Sequence, residues 1–260
     1  MYKITVRQRA LRLLDEGLTI SEVSRRTGVS RYAIREWRLR TDQGHDLYVA
    51  PPRECPRCDE IPRLPEPTAP YSYLLGLYLG DGCISPVGDP AKRVWALRVM
   101  CANTWPGLQR ECVDAMRAVR PDNKVRLIPL QGCTEVNSHS KHWPCLFPQH
   151  GPGKKHARKI VLADWQQEIV ERFAKEFVRG LIHSDGSRFT NRVRYAHKDG
   201  DRWYEYPRYN FANVSTDIQR LFTDALDRLG IAWKQMNAQN VSVARREAVA
   251  RLDEFVGPKY

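Results

Sequence analysis

The chain has 260 residues, 42% of them hydrophobic, which is enough for one substantial core and a smaller unit beside it. Its 42 lysines and arginines outnumber 30 aspartates and glutamates, and the resulting net charge of +12 favours a polyanionic partner such as nucleic acid. No apolar run approaches the length of a membrane span, and the first residues lack the long apolar core of a signal peptide, so the composition predicts an intracellular, nucleoid-associated protein with no membrane partner.

The first predicted unit covers residues 1–41 and holds three short helices. The first starts near Val6, turns Ala10, Leu13 and Leu14 inward and stops at Gly17. Thr19 and Glu22 have capping-box spacing at the start of the second, and Gly28 stands where a tight turn needs a left-handed residue. Ser30 caps the third, which turns Ile34 and Trp37 inward and leaves Arg31, Arg35 and Arg38, with Tyr32, on another face. The pattern resembles a helix-turn-helix, whose last helix enters the major groove of DNA and offers basic side chains to phosphates and guanine edges.

Residues 42–70 change to proline and charge, with Pro51, Pro52, Pro56, Pro62, Pro65, Pro67 and Pro70 opposing any long helix or central strand, and they read as a linker. Within it Cys55 and Cys58 have the spacing of half a zinc site. A structural Zn²⁺ site needs four ligands, so the other half would have to come from Cys133, His139, His142 or Cys145. The remaining Cys83, Cys101 and Cys112 bring the total to seven, lack a pairing pattern and are expected to be buried free thiols.

From residue 71 onward two stretches say the same thing. Tyr73 to Gly82 and Phe177 to Gly186 each form an apolar helix that ends on Asp-Gly, with a glycine four residues before a second small residue: Gly76 and Gly80 in one, Gly180 and Ser184 in the other. Such a face lets two helix backbones approach closely. Packed side by side and parallel, the helices would bring Asp81 and Asp185 together at two negative macrodipole ends, and a divalent cation such as Mg²⁺ is the remedy for that repulsion. Gly82 and Gly186 are expected to end the helices in left-handed turns. Between the two stretches, Cys133 to His156 gathers histidines, prolines and glycines and reads as an irregular loop, whose Lys154, Lys155, Arg158 and Lys159 would touch phosphate.

The repetition extends beyond the helices. Ala102-Asn103, Gln109-Arg110 and Asp114-Ala115 recur 110 residues later, whereas the Asp-Gly ends are 104 residues apart (185 − 81), so about half a dozen residues are added in the second copy. Alternating segments follow each helix, Val94 to Met100 and Trp203 to Phe211, and then amphipathic helices near Leu108–Val119 and Ile218–Leu229, a pattern of antiparallel sheets. Arg188, Arg192 and Arg194 cluster after the second motif, where they suit a DNA-facing strand or a solvated face equally.

Both stretches resemble the LAGLIDADG motif of homing endonucleases, with Gly76, Asp81, Gly82 and Gly180, Asp185, Gly186 on its defining positions, and the chain is similar to the single-chain, two-motif form. The resemblance implies an α+β fold, two pseudo-symmetric αββαββα repeats over about 71–160 and 161–260, with sheets that form a basic saddle on double-stranded DNA. It implies that Asp81 and Asp185, with the carbonyls of Gly80 and Ser184, hold catalytic Mg²⁺, and that a monomer suffices through its internal pseudo-dimer. Basic side chains around the attacking water would be Lys141 and Arg246, a pair suggested by the repeat alignment. The motif's earlier acidic position is Leu79 in one copy and His183 in the other. A different class stays open, a non-cleaving transcriptional regulator that keeps the scaffold as a DNA-binding platform; retention of both aspartates favours cleavage.

Overall fold

The computed structural model describes residues 4–42, 62–196 and 200–259. The chain divides into two compact units, residues 1–53 with 151–154, and residues 54–150 with 155–260. Cys55, Cys58 and most of the proline-rich linker lie outside the described residues.

In the first unit, α1 (Ile4–Asp15), α2 (Ile20–Thr27) and α3 (Arg31–Asp42) surround Ala10, Leu14, Val23, Val29, Ile34 and Trp37. The capping box forms as the sequence indicates: the Glu22 amide donates to Thr19 Oγ1 at 3.3 Å, and the Thr19 amide donates to Glu22 Oε2 at 2.8 Å. Gly28 is left-handed at φ +69°, and Ser30 Oγ accepts from the Ala33 amide at 3.2 Å. Arg31, Arg35 and Arg38 are exposed on α3, with Tyr32 beside them at 74% exposure.

The second unit is two copies of one plan. The first copy runs α4 (Ala69–Asp81), β1 (Gly82–Pro86), β2 (Trp95–Ala102), α5 (Pro106–Val119), β3 (Val125–Pro129), β4 (Cys133–Ser140) and α6 (Trp143–Leu146). After α7 (Asp164–Arg172), the second runs α8 (Ala174–Asp185), β5 (Gly186–Tyr195), β6 (Arg202–Ala212), α9 (Thr216–Arg228), β7 (Lys234–Asn237), β8 (Asn240–Val243) and α10 (Arg246–Asp253). Each sheet is antiparallel, in the orders β1-β2-β4-β3 and β5-β6-β8-β7. This is the expected pair of αββαββα repeats. The stretch from Cys133 departs from the irregular loop read in the sequence, because Cys133–Ser140 is a strand paired on both sides, with β2 and β3.

The repeated blocks fall on equivalent places, Ala102 closing β2 and Ala212 closing β6. The added residues of the second copy therefore lie in the β5–β6 hairpin, whose strands have 10 and 11 residues against 5 and 8 in β1 and β2. One core serves both copies, and α4, apolar on every side, is buried within it from Tyr71 to Leu79. The expected buried free thiols are found at Cys101 and Cys112, whereas Cys83 is exposed, because β1 buries its neighbours Gly82 and Ile84 and turns it to the other face. Among the described residues no helix is long and apolar enough to cross a membrane.

Candidate functional site

Helices α4 and α8 meet backbone to backbone. A Cβ on Gly76 would lie 2.6 Å from the Phe177 carbonyl oxygen, and one on Gly180 would lie 2.2 Å from that of Tyr73. One turn later a Cβ on Gly80 would strike Ser184 Cβ at 2.4 Å and approach Asp185 Cγ at 3.0 Å. The small residues singled out in the sequence thus form the contact, and it carries both aspartates to adjacent helix ends. The expected left-handed turns do not occur: Gly82 leaves α4 at φ −91° and Gly186 leaves α8 at φ −99°, both extended. Glycine is needed there for a different reason. The chain passes straight from helix to strand, and a Cβ would meet the preceding turn, at 2.5 Å from Tyr78 Cα in one copy and 2.7 Å from Ile182 Cα in the other.

Burial first, and the neighbouring charge of Asp185 second, push Asp81 up to about 6. Burial also raises Asp185, against a hydrogen bond from Asn213 Nδ2 to its Oδ2 at 2.5 Å. Asn213 is held in turn by the Ser215 amide, which donates to its Oδ1 at 2.8 Å.

The cations that act on both carboxylates are Lys155 and Lys259. Lys155 Nζ donates to the carbonyls of Gly80 and Gly82, each at 2.7 Å, and to that of Tyr78. It caps the negative end of α4. Lys259 Nζ donates to the Gly186 carbonyl at 2.5 Å beyond the end of α8. Burial dominates both ammonium groups and lowers their pKa values, that of Lys155 to about 8. These lysines stand 104 residues apart, the spacing of the aspartates, and each follows by two residues a left-handed glycine, Gly153 at φ +84° and Gly257 at φ +70°. Sequence reading missed them, placing Lys155 among phosphate-touching loop residues; a Gly-x-Lys repeated at the aspartates' own offset was the available signal.

His183, at the motif's departed position, docks the segment that delivers Lys259. Its Nε2 donates to the Val256 carbonyl at 2.9 Å, and its Nδ1 lies 2.9 Å from the oxygen of the Tyr73 hydroxyl, which donates to Glu111 Oε2 at 3.1 Å. Burial and then Arg179 push its pKa down to about 4. Glu111 Oε2 lies 3.6 Å from Nδ1, but Arg179 is paired with that carboxylate, so the ring stays neutral.

The remaining expected residues lie at the ends of other elements and on the β5–β6 hairpin. Lys141 is exposed just after β4, and Arg246 is exposed at the start of α10. Arg188, Arg192 and Arg194 pair in register with Tyr209, Glu205 and Trp203, and therefore share the sheet face on which Tyr209 and Phe211 are buried toward the helices. On that face Arg188 binds Asp253 of α10 at 2.7 Å, Arg192 lies over the Trp203 ring and near Glu205, and Arg194 pairs with Asp201.

Two carboxylates and backbone carbonyls are hard oxygen donors, and the Gly80 carbonyl already faces a cation, the Lys155 ammonium. Among the described residues no group of three or more His, Cys, Asp or Glu side chains is placed to hold a metal. The set still fits Mg²⁺, which takes one or two carboxylates and completes its shell with water and substrate phosphate.

The lysine capping yields a direct expectation. Lys155→Met should leave the buried carboxylate pair with half of its compensating charge and cost about 3 kcal/mol, the lower end for breaking a buried pair. In EDTA the variant should melt roughly 6–12 °C below the native chain, and millimolar Mg²⁺ should recover more of that difference than it adds to the native chain. Unchanged melting in EDTA would show that Lys155 does not compensate the pair.

Residues 1–47 match a family model described as Homeodomain-like domain. No curated protein matches the chain. Among solved structures the chain is similar to mesophilic variants of the homing endonuclease I-DmoI, at 14% identity and a TM-score of 0.46, covering 74% of this chain and 92% of that one. It is similar to the LAGLIDADG meganuclease I-AabMI bound to uncleaved DNA, at 9% identity and a TM-score of 0.46, covering 71% and 82%. A third similar structure is the meganuclease I-SmaMI bound to uncleaveable DNA, at 9% identity and a TM-score of 0.44, covering 73% and 85%.

Proposed function

We propose that this chain is a Mg²⁺-dependent DNA endonuclease that hydrolyses phosphodiester bonds in double-stranded DNA, the activity implied by its resemblance to the LAGLIDADG family. The observation that carries the reading is the buried Asp81–Asp185 pair at two touching helix ends, with a lysine capping each end at the same 104-residue offset. A cluster whose charges are this deeply buried is costly for stability, and such arrangements concentrate at functional sites. Asp81, Asp185 and the carbonyls of Gly80 and Ser184 would hold Mg²⁺, which when bound supplies Lewis-acid polarisation of the phosphate and activates water. Lys155 and Lys259 would stand beside the negative charge that develops on the phosphate and leaving oxygen, and Asn213 would fix the orientation of Asp185. The helices of the first unit would find the site, with Arg31, Arg35, Arg38 and Tyr32 on the exposed face of α3. Both copies sit in one chain around one core, so a monomer would suffice.

A second reading keeps one observation of its own. The two lysines match the two aspartates one for one, so the cluster is balanced without a metal, as a non-cleaving regulator built on this scaffold would need. The deciding experiment incubates the protein with a randomised duplex library in Mg²⁺ or EDTA and sequences both bound DNA and new ends. Discrete staggered ends in Mg²⁺ and none in EDTA are expected. Site-selective binding with no ends in either buffer would sink the nuclease and leave the regulator.

A further inference from the structure

His183 is only 2% exposed inside α8, where a ring nitrogen left without a partner would be costly. Its counterpart in α4, 104 residues earlier, is the fully buried and apolar Leu79, so the repeat does not demand a polar group at this place in the fold. The second copy uses the ring as a mooring. In the segment that follows α10, the Val256 carbonyl accepts from His183 Nε2 at 2.9 Å and from Arg179 Nε at 3.2 Å, and the Val256 side chain is buried in the core. Farther along the same segment, Lys259 Nζ meets the Gly186 carbonyl at 2.5 Å.

Between these two anchors the backbone has little freedom. Gly257 is left-handed at φ +70°, a conformation few other residues adopt, and the ring of Pro258 fixes its own φ. A stiff link passes displacement on, so a shift at Val256 is carried to the Lys259 ammonium. The connection that carries Lys155 is moored elsewhere: the Ile160 amide donates to Asp217 Oδ2 at 2.8 Å, and Gln149 Nε2 donates to the Val161 carbonyl at 2.8 Å. Neither contact involves His183 or the segment after α10, so the two lysines are positioned independently.

We infer that His183 is a positioning residue: it holds the segment after α10 so that Lys259 reaches the end of α8, and it thereby sets one of two catalytic halves. The inference rests on the endonuclease reading above and deepens it. Each half is a helix end with its carboxylate and its lysine, Asp81 with Lys155 at α4 and Asp185 with Lys259 at α8. The strands of a duplex are related by a two-fold, and two copies of one plan match that relation, so each half serves one strand. His183 acts through Lys259 rather than on the phosphate. Loss of the mooring therefore turns a double-strand cutter into a nicking enzyme, with one strand cut slowly and the other near the native rate.

The test uses the full chain in single turnover at saturating Mg²⁺, on a duplex carrying the site recovered from the randomised library, with each strand labelled separately. His183→Asn keeps a polar group toward Tyr73 but is too short to reach Val256, whereas His183→Gln carries its amide to the place of Nε2. The asparagine variant should slow one strand about 100-fold, the scale of a small misplacement of a catalytic group, and the other less than about threefold; the glutamine variant should recover most of the loss. Lys259→Met should slow the same strand, and adding His183→Asn to it should slow that strand no more than about twofold further, because both act through one ammonium. Without metal or DNA, hydrogen exchange of the Phe255 and Val256 amides, both bonded to the Leu252 carbonyl, should quicken about tenfold in the asparagine variant, the worth of one hydrogen bond. If that variant does not fold, His183→Leu, with the residue α4 carries at this place, takes its part with the same expectations. Equal slowing of both strands, additive losses in the double variant, no recovery with glutamine, or unchanged amide exchange would each overturn the role. Native cleavage with both strands cut alike in every variant would remove this inference alone; no cleavage by the native chain would remove the nuclease reading and this role with it.

Discussion

Asp81→Asn or Asp185→Asn is expected to reduce cleavage by about three orders of magnitude while leaving DNA binding within about twofold, the scale seen when one charge-stabilising group is taken from a reacting phosphate or oxyanion site. Asparagine keeps the side chain's shape and one oxygen, so the loss isolates charge. The helix contact should survive, because it is made one turn earlier at Gly76 and Gly180, between backbones that neither substitution touches. Stability should also move little: removing a carboxylate relieves repulsion at two negative helix ends, and leaves Lys155 and Lys259 with one counter-charge fewer. Single-turnover cleavage at saturating Mg²⁺, beside binding of the same duplex, measures both parts. Cleavage within a few-fold of the native rate in both variants would place the chemistry elsewhere.

The same helix ends show what sequence could and could not provide. The contact was legible because close approach of two helices admits few residue types, and Gly76, Gly80, Gly180 and Ser184 announce it by spacing alone. The offset between repeats located the added residues, and the alternating segments located the sheets. What stayed hidden depended on direction. Alternation divides Arg188 to Arg194 from Phe189 to Tyr195 but does not say which set faces the helices; the buried Tyr209 and Phe211 across the hairpin decide it, and with them the pairing of Arg188 with Asp253. Lys141 and Arg246 are spaced 105 residues apart, one residue off the offset that aligns Lys155 with Lys259. His183 was legible as a departure from the motif, but its purpose was not, since its partners Tyr73 and Val256 lie 110 and 73 residues away in the chain.

The substitution that tests the helix contact most severely is Gly180→Ala, and propensity alone predicts the wrong sign. Alanine in a helix interior is better than glycine by about 1 kcal/mol, which would stabilise α8. Against this, the new methyl would sit 2.2 Å from the Tyr73 carbonyl oxygen and 3.1 Å from both Gly76 Cα and the Leu77 amide nitrogen. All three are backbone atoms, so no rotamer change relieves them and the helices must separate. Separation loosens the facing side chains, including the fully buried Leu74, Phe177 and Leu181, and overpacking of a close-packed core costs about 1–3 kcal/mol or more. A rigid backbone contact at 2.2 Å belongs at the upper end of that range, so the cost wins and a net loss of about 2 kcal/mol is expected. Gly132→Ala is the control: its φ of +79° carries a left-handed penalty of about 1–2 kcal/mol, but nothing lies within 4 Å of the added methyl. Denaturant melts of these variants and of Gly76→Ala separate the two costs. Because Gly76 and Gly180 press on one interface, the double alanine variant should lose less than the sum of the single losses, the second methyl entering a gap the first has already opened. A stabilised Gly180→Ala would mean that α4 and α8 do not touch there, and would detach Asp81 from Asp185 as well.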